Sequence, residues 1–449
     1  MKKRIVLLIS LITVIVLMTV IVIPGCVDDS DNISDRAVIT VWSGQAGSKA
    51  VYTKLIDRWN RTVGKEKGIY IHYECFASTE YNEKILTALQ EGTTPEIFRV
   101  PGNKKKYAKN GQIVPIELFP GGKQFIESYG EPLVEGKEQF DGKTYFVNGE
   151  VTTFALIYNK DMFRRYGIVD ENGEPLVPKT MSEYTATAIK LTHPEDGCYG
   201  LGIPLKTSTY SGAMFSGPFT ECIPSEIDYA MGSKDYTYLR KALEWLLEIK
   251  KCKAYFPGAE ILDNDMMRSQ FAAGRIGMFI GASWDVGVLT HQFPTECEWG
   301  VAPLPVVDGY DKIGSTINAT SGFCIGPKAL NQNRAKVMEV FSFLHSPSFQ
   351  QELYSAGVAI PRIPERMKGA DLSNTPKQWE GFASRYTKIG ERTHTESFGS
   401  EPMTTKEAID YVWSGEMTVD QIIATYENNF RENFRKAETN AESEIRKVE

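Results

Sequence analysis

Between Ala37 and Val100 the spacing of apolar side chains switches back and forth between the two-residue period of a strand and the 3.6-residue period of a helix, and few folds accommodate that order. Ala37-Val-Ile-Thr-Val-Trp42 is a β-rich run ending at Ser43-Gly-Gln-Ala-Gly47. Val51, Leu55, Ile56 and Trp59 then recur at helical spacing through Asn60. Ile69 to Phe76 alternates like a strand, Tyr81, Ile85 and Leu89 share one helical face, and Pro95 to Val100 is another short strand. A strand–helix–strand–helix–strand order makes a parallel sheet with right-handed crossovers the economical topology, so the chain is of the α/β class. Ligands of open α/β sheets bind beyond the carboxyl ends of the strands, which here means Trp42 to Gln45, Ser78 to Tyr81 and Arg99 to Gly102.

A second stretch, Gln270 to Leu289, compresses three elements into twenty residues. Phe271 and Ala272 read as the last turn of a helix, and Gly274 as the left-handed residue that stops it, because glycine has no Cβ to clash there. Arg275 is placed to face the carbonyl end of that helix. Ile276 to Ile280 is a short apolar run bounded by Gly277 and Gly281, the pattern of a buried strand approached closely by other backbone. Ala282-Ser-Trp-Asp285 then holds an indole at a strand end, where Trp284 is either a core residue or a platform for a ligand.

The chain of 449 residues is long enough for two or three domains, with 42% hydrophobic and 24% charged residues, the balance of an ordinary globular protein. Its formal net charge of −7 becomes three charges more negative once the basic leader is removed, which argues against a nucleic-acid partner. No dinucleotide fingerprint, phosphate loop, His-Glu-x-x-His or Gly-x-Ser-x-Gly occurs, so no catalytic residue is assigned. The five histidines are scattered and carry no metal-site spacing. Two carboxylates at the separation a glycosidase needs are compatible with any sequence this rich in acids, and an extracytoplasmic carbohydrate-active enzyme therefore stands as an alternative.

Lys2-Lys-Arg4 followed by the apolar run Ile5 to Ile23 has the basic and hydrophobic regions of a secretory signal, residues 1–25. Ile23-Pro-Gly-Cys26 resembles a bacterial lipoprotein signal, in which Cys26 is lipidated, although Ile23 and Pro24 depart from the usual Leu and small residue. Residues 26–36, rich in Asp, Ser and Asn, read as a solvated tether. Six further cysteines remain, a number that permits disulfides but assigns none.

The order Phe271-x-x-Gly274, Gly277-Met278, Gly281-x-x-Trp284 resembles the signature segment of the extracellular solute-binding proteins of ABC sugar importers, the family of maltose-binding protein, in which the tryptophan commonly stacks on the ligand. Asn148 to Gly167, with Tyr158-Asn-Lys-Asp161, is similar to the family's first crossing strand, and Glu298 to Pro305 to its second. Tyr199-Gly-Leu-Gly-Ile-Pro204 also matches. The resemblance implies two lobes, 37–149 with 303–343 and 150–302 with 344–449, and a hinge-closing cleft that takes a carbohydrate, an oligosaccharide in the family's usual case. It implies no cofactor or metal, a monomer anchored outside the cell membrane through Cys26, and a membrane permease as partner; a sensor-coupled binder is the same protein with another partner. Within the cleft the resemblance and the strand ends together nominate Trp284 as stacking platform with Asp285 beside it as a hydroxyl acceptor. Trp42 is a second platform or a core residue. Ser43, Gln45, Glu80, Asn148, Glu150 and Ser321 are the polar candidates, and Arg99 either binds a carboxylated sugar or neutralises a neighbouring acid. The loop Lys206 to Phe215 is a source of hydroxyls and rings or plain solvated surface.

Overall fold

The computed structural model describes residues 33–448 apart from 101, 103, 131–132, 134, 137, 208–214, 229, 314–316, 320–321 and 387–400. The leader, Cys26, Ser321 and most of the Lys206 to Phe215 loop lie outside the described residues. The predicted parallel unit forms as expected. Ala37–Ser43 pairs in parallel with Ile69–Cys75 along its whole length, from Ala37 opposite Ile69 to Ser43 opposite Cys75, and with Ile97–Arg99 on its other edge. Phe323–Ile325 closes the sheet antiparallel to Ile97–Arg99. Alternation sorts the side chains. Ile39, Val41, Ile69 and Ile71 enter one core with Tyr52, Leu55, Ile56 and Trp59 of the helix Lys49–Arg61, while Phe98 and Val100 enter another with Tyr81, Ile85 and Leu89 of the helix Ser78–Glu91. Each such side chain, taken out of water, contributes about 1.5–3 kcal/mol.

The second sheet is built around Glu150–Asn159, a ten-residue strand of which nine residues are buried. It reads as a continuous apolar run because both of its faces are covered. Phe154 and Leu156 join the core of the helix Thr237–Cys252 and the C-terminal helices Thr405–Ser414 and Val419–Val448. Val151, Ala155 and Ile157 join Phe271, Phe279, Trp299 and Trp379 on the other side. Ile276–Ala282 pairs antiparallel along one edge of this strand and Trp299–Ala302 along the other. The signature stretch folds as read: Gly274 has φ 74° and every residue of Ile276–Ala282 is buried. The helix Met181–Lys190 opens on a full capping box between Thr180 and Glu183.

The first few residues of the long strand are where the chain passes between the two sheets. Ile317–Ala319 pairs with Val151, Thr152 and Thr153, and Ile360–Pro361 pairs with Glu150 and Val151. Three segments therefore lie side by side at one level, and two expectations are corrected. Glu298 to Pro305 does not return the chain to the first sheet: Trp299–Ala302 stays in the second, paired with Leu156 to Asn159. Pro303 and Pro305 end that ladder, yet Leu304 and Val307 remain in the second core and Val306 bonds to Lys179, so the return comes at Ile317–Ala319. Nor does the stretch after His345 belong wholly to the second lobe, because Phe349, Leu353, Val358 and Ile363 pack in the first core, where Phe349 meets the Tyr52 ring edge-on at 5.2 Å. The six described cysteines are free thiols. No helix among the described residues is long and apolar enough to cross a membrane.

Candidate functional site

A cleft of about 310 Å³ lies where the two sheets face each other across the crossing strands. The first lobe supplies the turn Gly44 to Ser48 at the end of Ala37–Ser43, the first turn of the helix Ser78–Glu91, and Arg99 at the end of its short strand. The second supplies Asn264, Asp265 and Arg268 from the helix Asn264–Ala272, and Ser283 and Trp284 from the turn after Ile276–Ala282. Glu150, Val151 and Thr152 border it from the crossing strand.

On the first-lobe side the centre is a buried triad. The Tyr52 hydroxyl donates to Glu150 Oε1 at 2.8 Å, and Arg99 Nη2 donates to Glu150 Oε1 at 3.0 Å and to the Tyr52 oxygen at 2.9 Å. The Arg99 guanidinium also lies over the Phe323 ring at 4.3 Å. Burial acts to raise the Glu150 pKa, but the Arg99 charge and hydrogen bonds from Tyr52, Arg99 and Gln45 prevail and hold the carboxyl below its ordinary range. Burial, reinforced by the Glu150 charge, pushes the Tyr52 hydroxyl well above its ordinary value. Tyr81 hydroxyl bonds with both the Arg99 backbone nitrogen and carbonyl, which fixes the strand end from the other side.

On the second-lobe side a matching ion pair shapes the turn. Arg268 Nε and Nη2 each reach Asp285 Oδ1 at 2.7 Å, while Asp285 Oδ2 accepts the Ala282 amide at 2.7 Å. Arg268 Nη1 also meets Asp265 at 2.9 Å. Asp285 is fully buried, and that burial raises its pKa against the pull of Arg268 and the Ala282 amide. The carboxylate thus works as a clamp that holds Ser283 and Trp284 at the strand end. Trp284 itself is half-buried, edge-on to Phe154 at 6.3 Å and 85°, and borders the cleft. The two lobes touch beneath it at glycines: a Cβ on Gly47 would stand 2.9 Å from the Val288 amide nitrogen, and one on Gly287 would stand 2.8 Å from the Gly47 carbonyl oxygen.

A family model for the bacterial extracellular solute-binding proteins matches residues 55–393, three quarters of the chain. The chain belongs to that family. This solute-binding protein is 22% identical over 246 residues to a binding protein of Brucella abortus, a match covering 53% of the chain and 56% of that relative, so it spans little more than half the relative's length. Its fold is that of the GacH receptor of Streptomyces glaucescens, solved unliganded and with acarbose, at a TM-score of 0.65 and 18% identity over 89% of this chain and 99% of the receptor. The maltose/maltodextrin-binding domain MalE of Bdellovibrio bacteriovorus, solved with maltotriose, superposes at 0.62 with 17% identity, covering 89% of this chain and 100% of that domain. These neighbours share the two-lobed fold, and family membership implies an extracytoplasmic body.

In this solute-binding protein the cleft brings together four of the residues nominated from sequence, Gln45, Arg99, Glu150 and Trp284. Of the other described nominees it brings in none. Trp42 points to the helix-covered face, edge-on to Phe76 at 5.7 Å and under the Lys84 ammonium at 4.5 Å, because an even position on that strand faces away from the Tyr52 side. Ser43 is buried beneath the turn, its hydroxyl accepting the Gln45 amide. Glu80 is exposed and does not border the cleft. Asn148 donates to the buried Glu138 at 2.6 Å, which also pairs with Arg362 across the crossing segments. Asp285 serves the turn rather than the cleft wall. Tyr81 falls in the strand-end stretch Ser78 to Tyr81 expected from sequence, whereas Asp265 and Arg268 on the cleft wall, and Tyr52 behind Glu150 and Arg99, were not singled out. Tyr52 was hidden in the helical stripe it shares with Leu55, Ile56 and Trp59; an Asp265–Arg268 pair at i,i+3 just before the signature segment was the one local signal for the second clamp.

Proposed function

We propose that this protein captures a carbohydrate between its two lobes and delivers it to the permease subunits of an ABC importer, from a monomeric body tethered outside the membrane through lipidated Cys26. The observation that carries the reading is the cleft itself. An indole held rigidly by a buried ion pair borders a space ringed by amides, hydroxyls and paired charges from both lobes. A sugar has an apolar ring face and a hydroxyl rim, and that combination of platform and fixed polar groups is its complement. Acarbose and maltotriose in the neighbours' structures support the class. We divide the lobes at the three crossing segments, so that ligand contact with both walls selects the closed form.

Thermal unfolding of the mature chain against a saccharide panel tests the reading. A ligand that binds only the folded form at a hundred times its Kd adds about 2.7 kcal/mol of apparent stability. Trp284→Ala should weaken binding at least about tenfold, roughly 1.4 kcal/mol. Sugar consumed in the same tubes would reveal an enzyme, and the absence of any shift would overturn carbohydrate as the ligand. Metabolic labelling with a radiolabelled fatty acid should mark the chain and fail to mark Cys26→Ala; label on both would refute the anchor.

A further inference from the structure

Resting on the carbohydrate reading, we infer that the ligand is an uncharged saccharide of which the cleft encloses one or two rings, shorter than the oligosaccharide usual for the family and not a uronic acid. Two guanidiniums border the cleft among the described residues, and each is already matched. Arg99 meets Glu150 at 3.0 Å. Arg268 meets Asp285 at 2.7 Å and Asp265 at 2.9 Å. Counting Asp285 behind the wall, three carboxylates face two guanidiniums, and no lysine or histidine borders the cleft among the described residues. A sugar carboxylate would therefore leave water for a site whose cations are committed and whose balance is one charge acidic.

Two amides of the first-lobe turn are already committed. The turn at Gly44 to Ser48 leads into the helix Lys49–Arg61, a place where amides can hold an anion, but the Ser48 amide is taken by the Gln45 carbonyl and the Lys49 amide by Ala46. The helix Ser78–Glu91 also begins at the cleft, and the negative charge of Glu80 in its first turn disfavours a further anion at that end. The same groups suit a neutral polyol well. Paired carboxylates and guanidiniums remain strong acceptors and donors for hydroxyls without requiring a counter-charge.

Size follows from the walls. The cleft is partly open, and its volume of about 310 Å³ lies at the lower end of the roughly 300–1,000 Å³ spanned by small-molecule pockets. Gly47 of the first lobe and Val288 of the second meet at its border, where a Cβ on Gly47 would stand 2.9 Å from the Val288 amide nitrogen. Of the two aromatic rings bordering it among the described residues, Tyr81 is stacked with Phe76 at 6.3 Å and lies against Gly44, where a Cβ would stand 2.6 Å from the ring, which leaves Trp284 as the platform for stacking.

The test is calorimetric titration of the full mature chain at low ionic strength with matched pairs: a neutral aldohexose and its C6 uronate, the neutral disaccharides of the same hexose, and their trisaccharide homologues, across the gluco, galacto, manno and xylo series. The expected result is a neutral mono- or disaccharide that binds at least about 100-fold tighter than its uronate, with a third ring changing Kd by less than about threefold. Asp265→Asn, which removes one carboxylate partner of Arg268, should narrow the neutral-to-uronate ratio by about tenfold while the variant keeps its unfolding temperature within a few degrees. A uronate that binds as tightly as its neutral partner, a third ring that gains tenfold or more, or a ratio unmoved by Asp265→Asn overturns the inference and leaves carbohydrate capture standing. No binding by any saccharide overturns both.

Discussion

Replacing Glu150 with glutamine keeps the shape of the crossing strand and removes the carboxylate charge paired with Arg99 at 3.0 Å. Both groups are less than a tenth exposed, at 9% and 8% of their side-chain surface, so water cannot take over the lost role. Breaking a buried pair by removing one partner costs about 3–5 kcal/mol, most of it the stranded charge. Glutamine still accepts from Tyr52, which places Glu150→Gln near the lower end, about 3 kcal/mol. At 2–4 °C per kcal/mol for a unit of lobe size, that is a fall of roughly 6–12 °C in unfolding temperature. The decisive measurement is a double-mutant cycle with Arg99→Met, read by calorimetric and fluorescence-detected unfolding. If the guanidinium is the source of the cost, removing it as well should restore part of the loss, and the two effects should depart from additivity by more than about 1 kcal/mol. Additivity within about 0.5 kcal/mol, or a single-variant loss below about 1 kcal/mol, would refute the view of Glu150 and Arg99 as one electrostatic unit.

Two other sites make independent predictions. His345 is buried among Phe341, Phe323 and Phe125, with Nδ1 donating to the Phe341 carbonyl at 2.7 Å; burial, aided by Arg99 and Arg366 and opposed by Glu150, pulls its pKa from 6.5 down to about 4. The unfolded chain therefore takes up this proton first as pH falls, and native stability should drop by about 3 kcal/mol between pH 6.5 and 4 and level off below, a slope absent from the wild-type minus His345→Gln difference curve only if the imidazole titrates normally in the fold. Gly287→Ala puts a methyl carbon 2.8 Å from the Gly47 carbonyl where the two lobes meet, so it should hold the lobes apart, lower the ligand-free unfolding temperature by a few degrees and weaken ligand about tenfold. Small-angle scattering checks it: a radius of gyration that contracts with ligand as in wild type would show that the glycine seam does not limit closure.

Local chemistry was enough to mark the elements. Period-two and period-3.6 spacing located the three parallel strands and the helices between them, Gly274 and the Thr180 capping box lay where side-chain sterics and unsatisfied amides demand them, and the order of motifs around Trp284 pointed to a two-lobed binder. Gln45, Arg99, Glu150 and Trp284 were legible as cleft-lining residues because strand ends and turns border the crevice of an α/β sheet. What the sequence could not decide was partnership across distance. Trp42 and Ser43 are the last two residues of the strand Ala37–Ser43, yet alternation sends Trp42 to the face covered by the helix Ser78–Glu91 and burial closes over Ser43. Asp285 looks identical to a hydroxyl acceptor until Arg268 is found against it from another helix, and the return crossing shifts from Glu298 to Ile317 because the long strand accepts partners along its whole length. Periodicity is a property of neighbours in the chain; which carboxylate meets which guanidinium is set by how two sheets pack, and only the folded molecule holds that information.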